Sequence, residues 1–273
     1  MKFTNLDFPG FLHHELRTSK DPYWQEVKNR IEQVWNNAPN DLKKRFINLS
    51  GKNHKAYRSL IFELYILELL IKDGFEVCYE YQFEGSSNYF DFYARKGNIQ
   101  FLIEVTSYGP NEEQILNPSF EIDPAAYKKI RRRIKSKLSK VRIQPEVPSL
   151  LAFCNSFENA TNSRFERVQT LYGVPQIQID RISLESELIL GDQGIWASEA
   201  PLISGFSGIY FTNGFMPGFS TYEIPQIWLN PLAANAFSPS QWPDDAHFYK
   251  SEVDLYYTNR ALEFEWQRID SIF

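Results

Sequence analysis

The sequence predicts an α/β (α+β) fold with a mixed central sheet flanked by helices, and three stretches carry that prediction. Residues 88–107 alternate as two strands around Gly97-Asn98, a dipeptide suited to the positive φ angles of a two-residue hairpin loop. Residues 53–73 are apolar on nearly every side and stop at Gly74, the pattern of a buried helix with a C-terminal glycine cap. A basic helix opening at Asp123-Pro124 leads into the apolar run Leu150-Leu151-Ala152-Phe153-Cys154, which reads as a central strand. A helix between two such strands is a crossover, so the sheet must hold parallel as well as antiparallel pairs.

Taken in order, residues 1–20 show no clear period and are expected as an extended lead-in. Asp21-Pro22 is an N-cap followed by proline at the first helical position, and the helix it starts should run to about Trp35. Residues 38–41 break it, and a short basic helix covers 42–49. Residues 75–83 read as a strand and 84–87 as the turn before the hairpin. The Tyr-, Gly-, Pro- and Asn-bearing stretch 108–120 is long enough to flank a site. Residues 164–172 look helical, and 177–182 and 208–211 are further strands. The expected organisation is a helical extension over 1–52, a core over 53–190, and an aromatic-rich C-terminal extension over 191–273.

Cys78 and Cys154 both lie in apolar, strand-like runs and are expected as buried thiols rather than a disulfide or a zinc site. The N-terminus has no long apolar segment and no stretch approaches a membrane span, so a reducing, cytoplasmic setting is expected. The four histidines, His13, His14, His54 and His247, show no metal-ligand spacing and suit packing or surface roles. No GxSxG elbow, phosphate-cradling glycine loop or GxGxxG fingerprint is present.

The net charge of −5 hides an asymmetry: residues 128–142 hold nine of the 29 Lys and Arg residues and no acid. The remainder carries 20 basic against 34 acidic residues, a net of −14. Such a stripe on an acidic body is either a footprint for phosphates or a solvated helix face.

The hairpin register follows from its loop: paired positions put Phe90 opposite Val105, Phe92 opposite Ile103 and Ala94 opposite Phe101, one wholly apolar side. On the other side Asp91 lies opposite Glu104, with β-carbons about 5 Å apart. Opposed like charges destabilise a sheet unless a cation, a proton or a basic side chain sits between them. Two readings are open, an oxygen-rich niche for Mg²⁺ or an exposed face on which both acids are solvated. On the preceding helix Glu63 is bracketed by Leu60 and Leu67 on one apolar stripe and should face inward, whereas Glu68 is expected at the helix rim.

An acid-bearing helix, a strand, a hairpin carrying Asp and then Glu-x-Thr, a basic helix and a buried strand, in that order, resemble the PD-(D/E)XK, or restriction-endonuclease-like, nuclease superfamily. The likeness covers roughly residues 53–154, through Phe62-Glu63-Leu64, residues 74–77, Asp91-Phe92 and residues 101–106. Its closest parallels are uncharacterised members with Glu-x-Thr, and Asn230–Ala233 extends it weakly. It implies a Mg²⁺- or Mn²⁺-dependent nuclease acting on nucleic acid, DNA in the first instance, with Asp91 and Glu104 as metal ligands and Glu63, Asp91, Glu104 and Thr106 in the catalytic set. Superfamily members usually carry Lys where this chain has Thr106, and a hydroxyl cannot supply that charge. Some draw the lysine from the following helix, which here makes Lys137 or Lys140 the candidate. Lys128, Lys129, Arg132, Arg133 and Lys140 would contact the nucleic-acid backbone. The alternative is the same fold surviving as an inactive nucleic-acid-binding module. A third reading makes the aromatic C-terminal portion a homo-oligomer or partner surface.

Overall fold

The computed structural model describes residues 1–8, 10–50, 54–82, 89–109, 126–138, 146–155, 170–171, 175–179, 186–190, 194–198, 205–213, 218–219, 225–230, 233–243, 246–249 and 268–269. Four helices come first: α1 (Phe11–Thr18), α2 (Pro22–Asn37), α3 (Asn40–Leu49) and α4 (His54–Lys72). The hairpin strands β2 (Phe90–Lys96) and β3 (Ile99–Tyr108) follow β1 (Glu76–Tyr81). Helix α5 (Ala126–Leu138) and strand β4 (Ser149–Asn155) come next, and then β5 (Pro175–Ile179), β6 (Ser186–Leu190), the short helix α6 (Ile195–Ser198), β7 (Gly208–Asn213) and β8 (Gln226–Leu229). Two short strands, β9 (His247–Tyr249) and β10 (Arg268–Ile269), complete the order.

The six strands β1-β2-β3-β4-β7-β8 form a mixed sheet, which β9 and β10 continue at the β8 edge. The pairs β1–β2, β2–β3 and β7–β8 are antiparallel, whereas β3–β4 and β4–β7 are parallel. The crossover through α5 is therefore present, and β4, buried at every residue, is the central strand expected of an uninterrupted apolar run. Strands β7 and β8 lie in this sheet, in the stretch assigned to the C-terminal extension. Strands β5 and β6 pair only with each other, in a second, two-stranded sheet. The helix expected over 164–172 and the turn over 84–87 lie almost entirely or wholly outside the described residues.

Two apolar cores cover the two faces of the sheet. The first joins Phe3, Leu12, Ile31, Trp35, Phe46 and the length of α4 to Phe92, Ala94, Ile103, Val105, Leu150 and Ala152. The N-terminal helices thus share one core with α4 and the sheet. The second joins Ile130 and Ile134 of α5 to Leu102, Leu151, Phe153, Phe206, Ile209 and Trp228. The i, i+4 spacing of the two isoleucines is what lets an otherwise charged helix lie on the sheet.

The cap signatures are realised. Tyr23 donates its backbone N–H to Asp21 Oδ1 at 2.8 Å, and Gly74 takes φ +79° while Phe75 N–H reaches back to the Leu70 carbonyl at 2.9 Å. Three expectations need correction. Residues 1–20 are not an extended lead-in: they hold a 3-10 turn (Phe3–Asn5) and α1, whose spaced Leu12, His13 and Leu16 are buried. His13 is fixed in that packing by Leu6 O at 2.8 Å and Tyr57 Oη at 3.2 Å. Glu68 is buried rather than at a rim, because Arg30 of α2 (2.6 Å) and Lys72 (2.8 Å) neutralise it from outside its own apolar stripe. Cys78 is exposed, since β1 is an edge strand with one face toward solvent, and only Cys154 is buried.

Among the described residues of the C-terminal part, Phe206, Phe211, Phe219, Trp228, Phe237 and Trp242 are buried. Gly218 makes one of these contacts possible, with φ +79° and an ideal β-carbon position only 2.1 Å from the Tyr65 ring of α4. Gly218→Ala is expected to destabilise the fold by about 2–4 kcal/mol, measured as a lowered urea midpoint at unchanged slope.

Candidate active site

The hairpin pairs in the expected register, from Phe92↔Ile103 to Lys96↔Ile99 around Gly97-Asn98, with Gly97 at φ +57°. The next pair outward would be Asp91 with Glu104, and here the strands change. On β1 the residue between Tyr79↔Phe92 and Tyr81↔Phe90 is Glu80, at φ +52°, a left-handed backbone conformation rare for any residue but glycine. Beyond it Tyr81 and Phe90 pack into the second core while Tyr79 and Phe92 pack into the first. Phe90 therefore does not share a side with Phe92 and Ala94, contrary to strict alternation. The local twist re-aims Asp91, as irregularities in a ladder do.

Asp91 uses its two oxygens differently. Oδ2 accepts the Val105 backbone N–H at 2.7 Å, tying the carboxylate to β3 next to Glu104. Oδ1 is 3.4 Å from Arg45 Nη1. Arg45, from α3, also meets Glu63 Oε1 at 3.3 Å and Glu80 Oε1 at 3.8 Å, and its Nη1 donates to the Tyr79 hydroxyl. Tyr79 in turn donates to Glu63 Oε2 at 3.0 Å. Glu63, as expected, is turned inward and only 1% exposed.

Glu104 is met from the other face of the sheet. Lys137 of α5 donates to its Oε1, and one turn earlier Arg133 Nε donates to Thr106 Oγ1 at 2.9 Å. Residues 133 and 137 lie four apart on one flank of α5, as 104 and 106 lie two apart on one face of β3, so the two periods match. Thr106 is thus met by a guanidinium and Glu104 by an ammonium, both from α5. The two sides meet at the hairpin end: Lys137 is close enough to Glu63 to favour its ionised form.

The Glu63 carboxyl is shifted above its ordinary range. Burial and then the Asp91 carboxylate push its carboxyl up to about 8, against the opposing pull of Arg45 and the Tyr79 hydroxyl. Burial would lower the Arg45 guanidinium, but Glu63, Tyr79 and Asp91 together raise it above its ordinary value. Tyr79 is raised by burial first and by Glu63 next.

The structure thus joins Glu63 to Asp91 through Arg45, and Glu104 and Thr106 to α5 through Lys137 and Arg133. Arg132 is exposed on α5; Lys128 and Lys129 fall within α5, and Lys140 lies outside the described residues, as does most of the flanking stretch 108–120. Arg45 and Tyr79 escaped the sequence reading. The signal for Arg45 was indirect: opposed acids demand a basic partner, and the basic helix over 42–49 was one source of it. Tyr79 alternates with Val77 on β1, which marks its side of the strand but not its hydroxyl's partner.

Among the described residues no group of three or more His, Cys, Asp or Glu side chains stands ready to hold a metal ion, and no helix is long and apolar enough to cross a membrane. No family model, no curated protein and no solved structure matches the chain.

Proposed function

We propose that the chain is a metal-dependent nuclease that hydrolyses phosphodiester bonds, with DNA as substrate and a restriction-endonuclease-like arrangement of its site. The observation that carries this reading is the pair Lys137–Glu104: an ammonium from the helix after the hairpin stands at the acid whose own strand offers threonine where a lysine would serve.

The donor set is chemically suited to Mg²⁺ or Mn²⁺. Asp91 and Glu104 offer hard carboxylate oxygens, and Glu63, raised chiefly by burial and next by the Asp91 carboxylate, adds a third acid beside them. Asp91 and Glu104 would hold the ion, with Glu63 assisting. When bound, the metal would supply an activated water and stabilise charge on the scissile phosphate. The chain's own contributions are positional and electrostatic. The Val105 N–H keeps Asp91 against β3, and Lys137 offers a proton donor and a positive charge beside Glu104. Arg132 and Arg133 present guanidinium groups on the same helix, suited to bidentate phosphate contacts. Arg45, 3.4 Å from Asp91 Oδ1, is the group that a cation held by that carboxylate would displace.

Incubation of supercoiled plasmid with folded protein in Mg²⁺ or Mn²⁺ should nick or linearise it, and EDTA should stop the reaction. Intact plasmid under every metal condition refutes the proposal. Lys137→Gln should slow cleavage about 100-fold with DNA affinity nearly unchanged. Arg132→Gln should weaken binding instead, lowering the salt slope of the association constant by about 1.

A second reading has its own observation: Arg45 and Lys137 already neutralise acids that a metal would need. On that reading the chain binds nucleic acid without cutting it. DNA binding that weakens with salt, is unchanged by Asp91→Asn, and is never followed by cleavage would favour it.

A further inference from the structure

The first core contains a cation that the candidate active site does not use. Arg58, in α4 one turn before Phe62, is only 3% exposed, yet its Nε, Nη1 and Nη2 have no hydrogen-bond partner among the described residues. Burial lowers its guanidinium to about 10, partly opposed by Cys154, so it remains charged at neutral pH. A buried charge with every donor unmet is among the least favourable arrangements in a protein interior, and each one calls for an explanation.

A second unmet group lies on the same side of the sheet. Cys154, the charge neighbour of Arg58, packs in the first core on β4 and pairs in register with Ser107 of β3 on one side and Thr212 of β7 on the other. Tyr210 packs in the first core and Phe211 in the second, so alternation places Thr212 on the first-core face beside Cys154. Thr212 is 3% exposed, and its Oγ1 also has no partner among the described residues. The helix start is tied over this row by Ser59 Oγ and Ser107 Oγ, 3.0 Å apart. The row is the last but one of the three parallel strands, at their carboxyl ends, where open sheets with parallel strands commonly bind ligands.

We propose that Arg58 and Thr212 form a buried oxyanion site at the carboxyl ends of β3, β4 and β7, and that its ligand is a phosphate group. The guanidinium offers a planar fork of donors and the threonine a further hydroxyl from the neighbouring strand, a set that suits a tetrahedral oxyanion with more than two acceptor oxygens. The site rests on neither the acids nor the lysine of the proposed nuclease centre.

The full chain, dialysed into phosphate-free buffer without metal or nucleic acid, is titrated with inorganic phosphate and, at matched ionic strength, with acetate and chloride. Phosphate is expected to raise the melting temperature saturably and to give a binding isotherm by calorimetry, with little response to the other two. Arg58→Met should weaken phosphate binding by about tenfold or more, and Thr212→Val, which keeps the shape of the side chain, by about threefold or more. In phosphate-free buffer Arg58→Met should melt at or above the wild-type temperature, because it replaces an unpaired charge with an apolar chain of similar length. Equal responses to all three anions, no response at all, or an affinity unchanged in Thr212→Val overturns the proposal, and the last holds even where Arg58→Met fails to fold. Asp91→Asn should respond to phosphate like the wild type, so failure here and failure of the nuclease reading are separate results.

Discussion

Asp91→Asn is expected to lower Mg²⁺-dependent plasmid cleavage by about 1,000-fold or more while leaving the thermal melting temperature within a few degrees of wild type. The substitution is nearly isosteric, and asparagine's carbonyl oxygen can still accept the Val105 N–H that Oδ2 now takes at 2.7 Å. What it removes is a negative charge at the end of the β2–β3 ladder, the charge a divalent cation would require. A single lost carboxylate ligand at such a centre removes stabilisation present chiefly in the transition state, so the deficit should appear in kcat. It also removes the like charge that raises Glu63, so the asparagine variant should lose less stability than wild type as pH rises. Cleavage within tenfold of wild type would exclude Asp91 from the metal site.

Arg45→Met should have the largest effect on stability at the site, and its size should depend on pH. Removing one partner from a buried ion pair typically costs about 3–5 kcal/mol. Here Arg45 is 34% exposed and water can replace part of its contact, so about 2–3 kcal/mol is expected at pH 9. Glu63 sets the direction. Its ordinary value is 4.5 and in the folded chain it is pushed up to about 8, so the stability linked to its neutral form is fully present below about pH 4.5 and is lost as pH rises through about 8. Wild-type stability should therefore decline between those values through this group, and Glu63→Gln should flatten the decline. Without Arg45 the carboxylates of Glu63 and Asp91 face each other with less positive charge to offset them, so the variant's deficit should grow from pH 6 to pH 9. Urea denaturation at three pH values measures it, and a deficit independent of pH would mean that Arg45 acts through packing alone.

Local patterns carried much of the fold. Gly97-Asn98 specified the hairpin register because a two-residue loop leaves no freedom in pairing, and Gly74 and Asp21-Pro22 marked helix ends through geometry that few other residues satisfy. The apolar run at 150–154 announced a central strand because no exposed element tolerates it. Glu63 was legible as an inward acid from its helical neighbours, and Lys137 as a candidate from its place on the following helix. Residues 1–20 were not legible, since their burial depends on Trp35, Phe46 and Tyr57, which are distant in sequence.

The sequence by itself determined the mixed sheet, the helix between its parallel strands, and which acids and bases the candidate site could draw on. Tertiary structure alone decided how they are shared out. The twist at Glu80 turned Phe90 away from Phe92 and re-aimed Asp91, a change that alternation cannot anticipate because it arises from one backbone angle. The packing of α3 against α4 brought Arg45 to Glu63 and Asp91, and the seating of Ile130 and Ile134 brought Arg133 to Thr106 and Lys137 to Glu104. Those pairings join residues 18 to 46 positions apart, and a charge's partner is set by which helices meet, not by spacing along the chain.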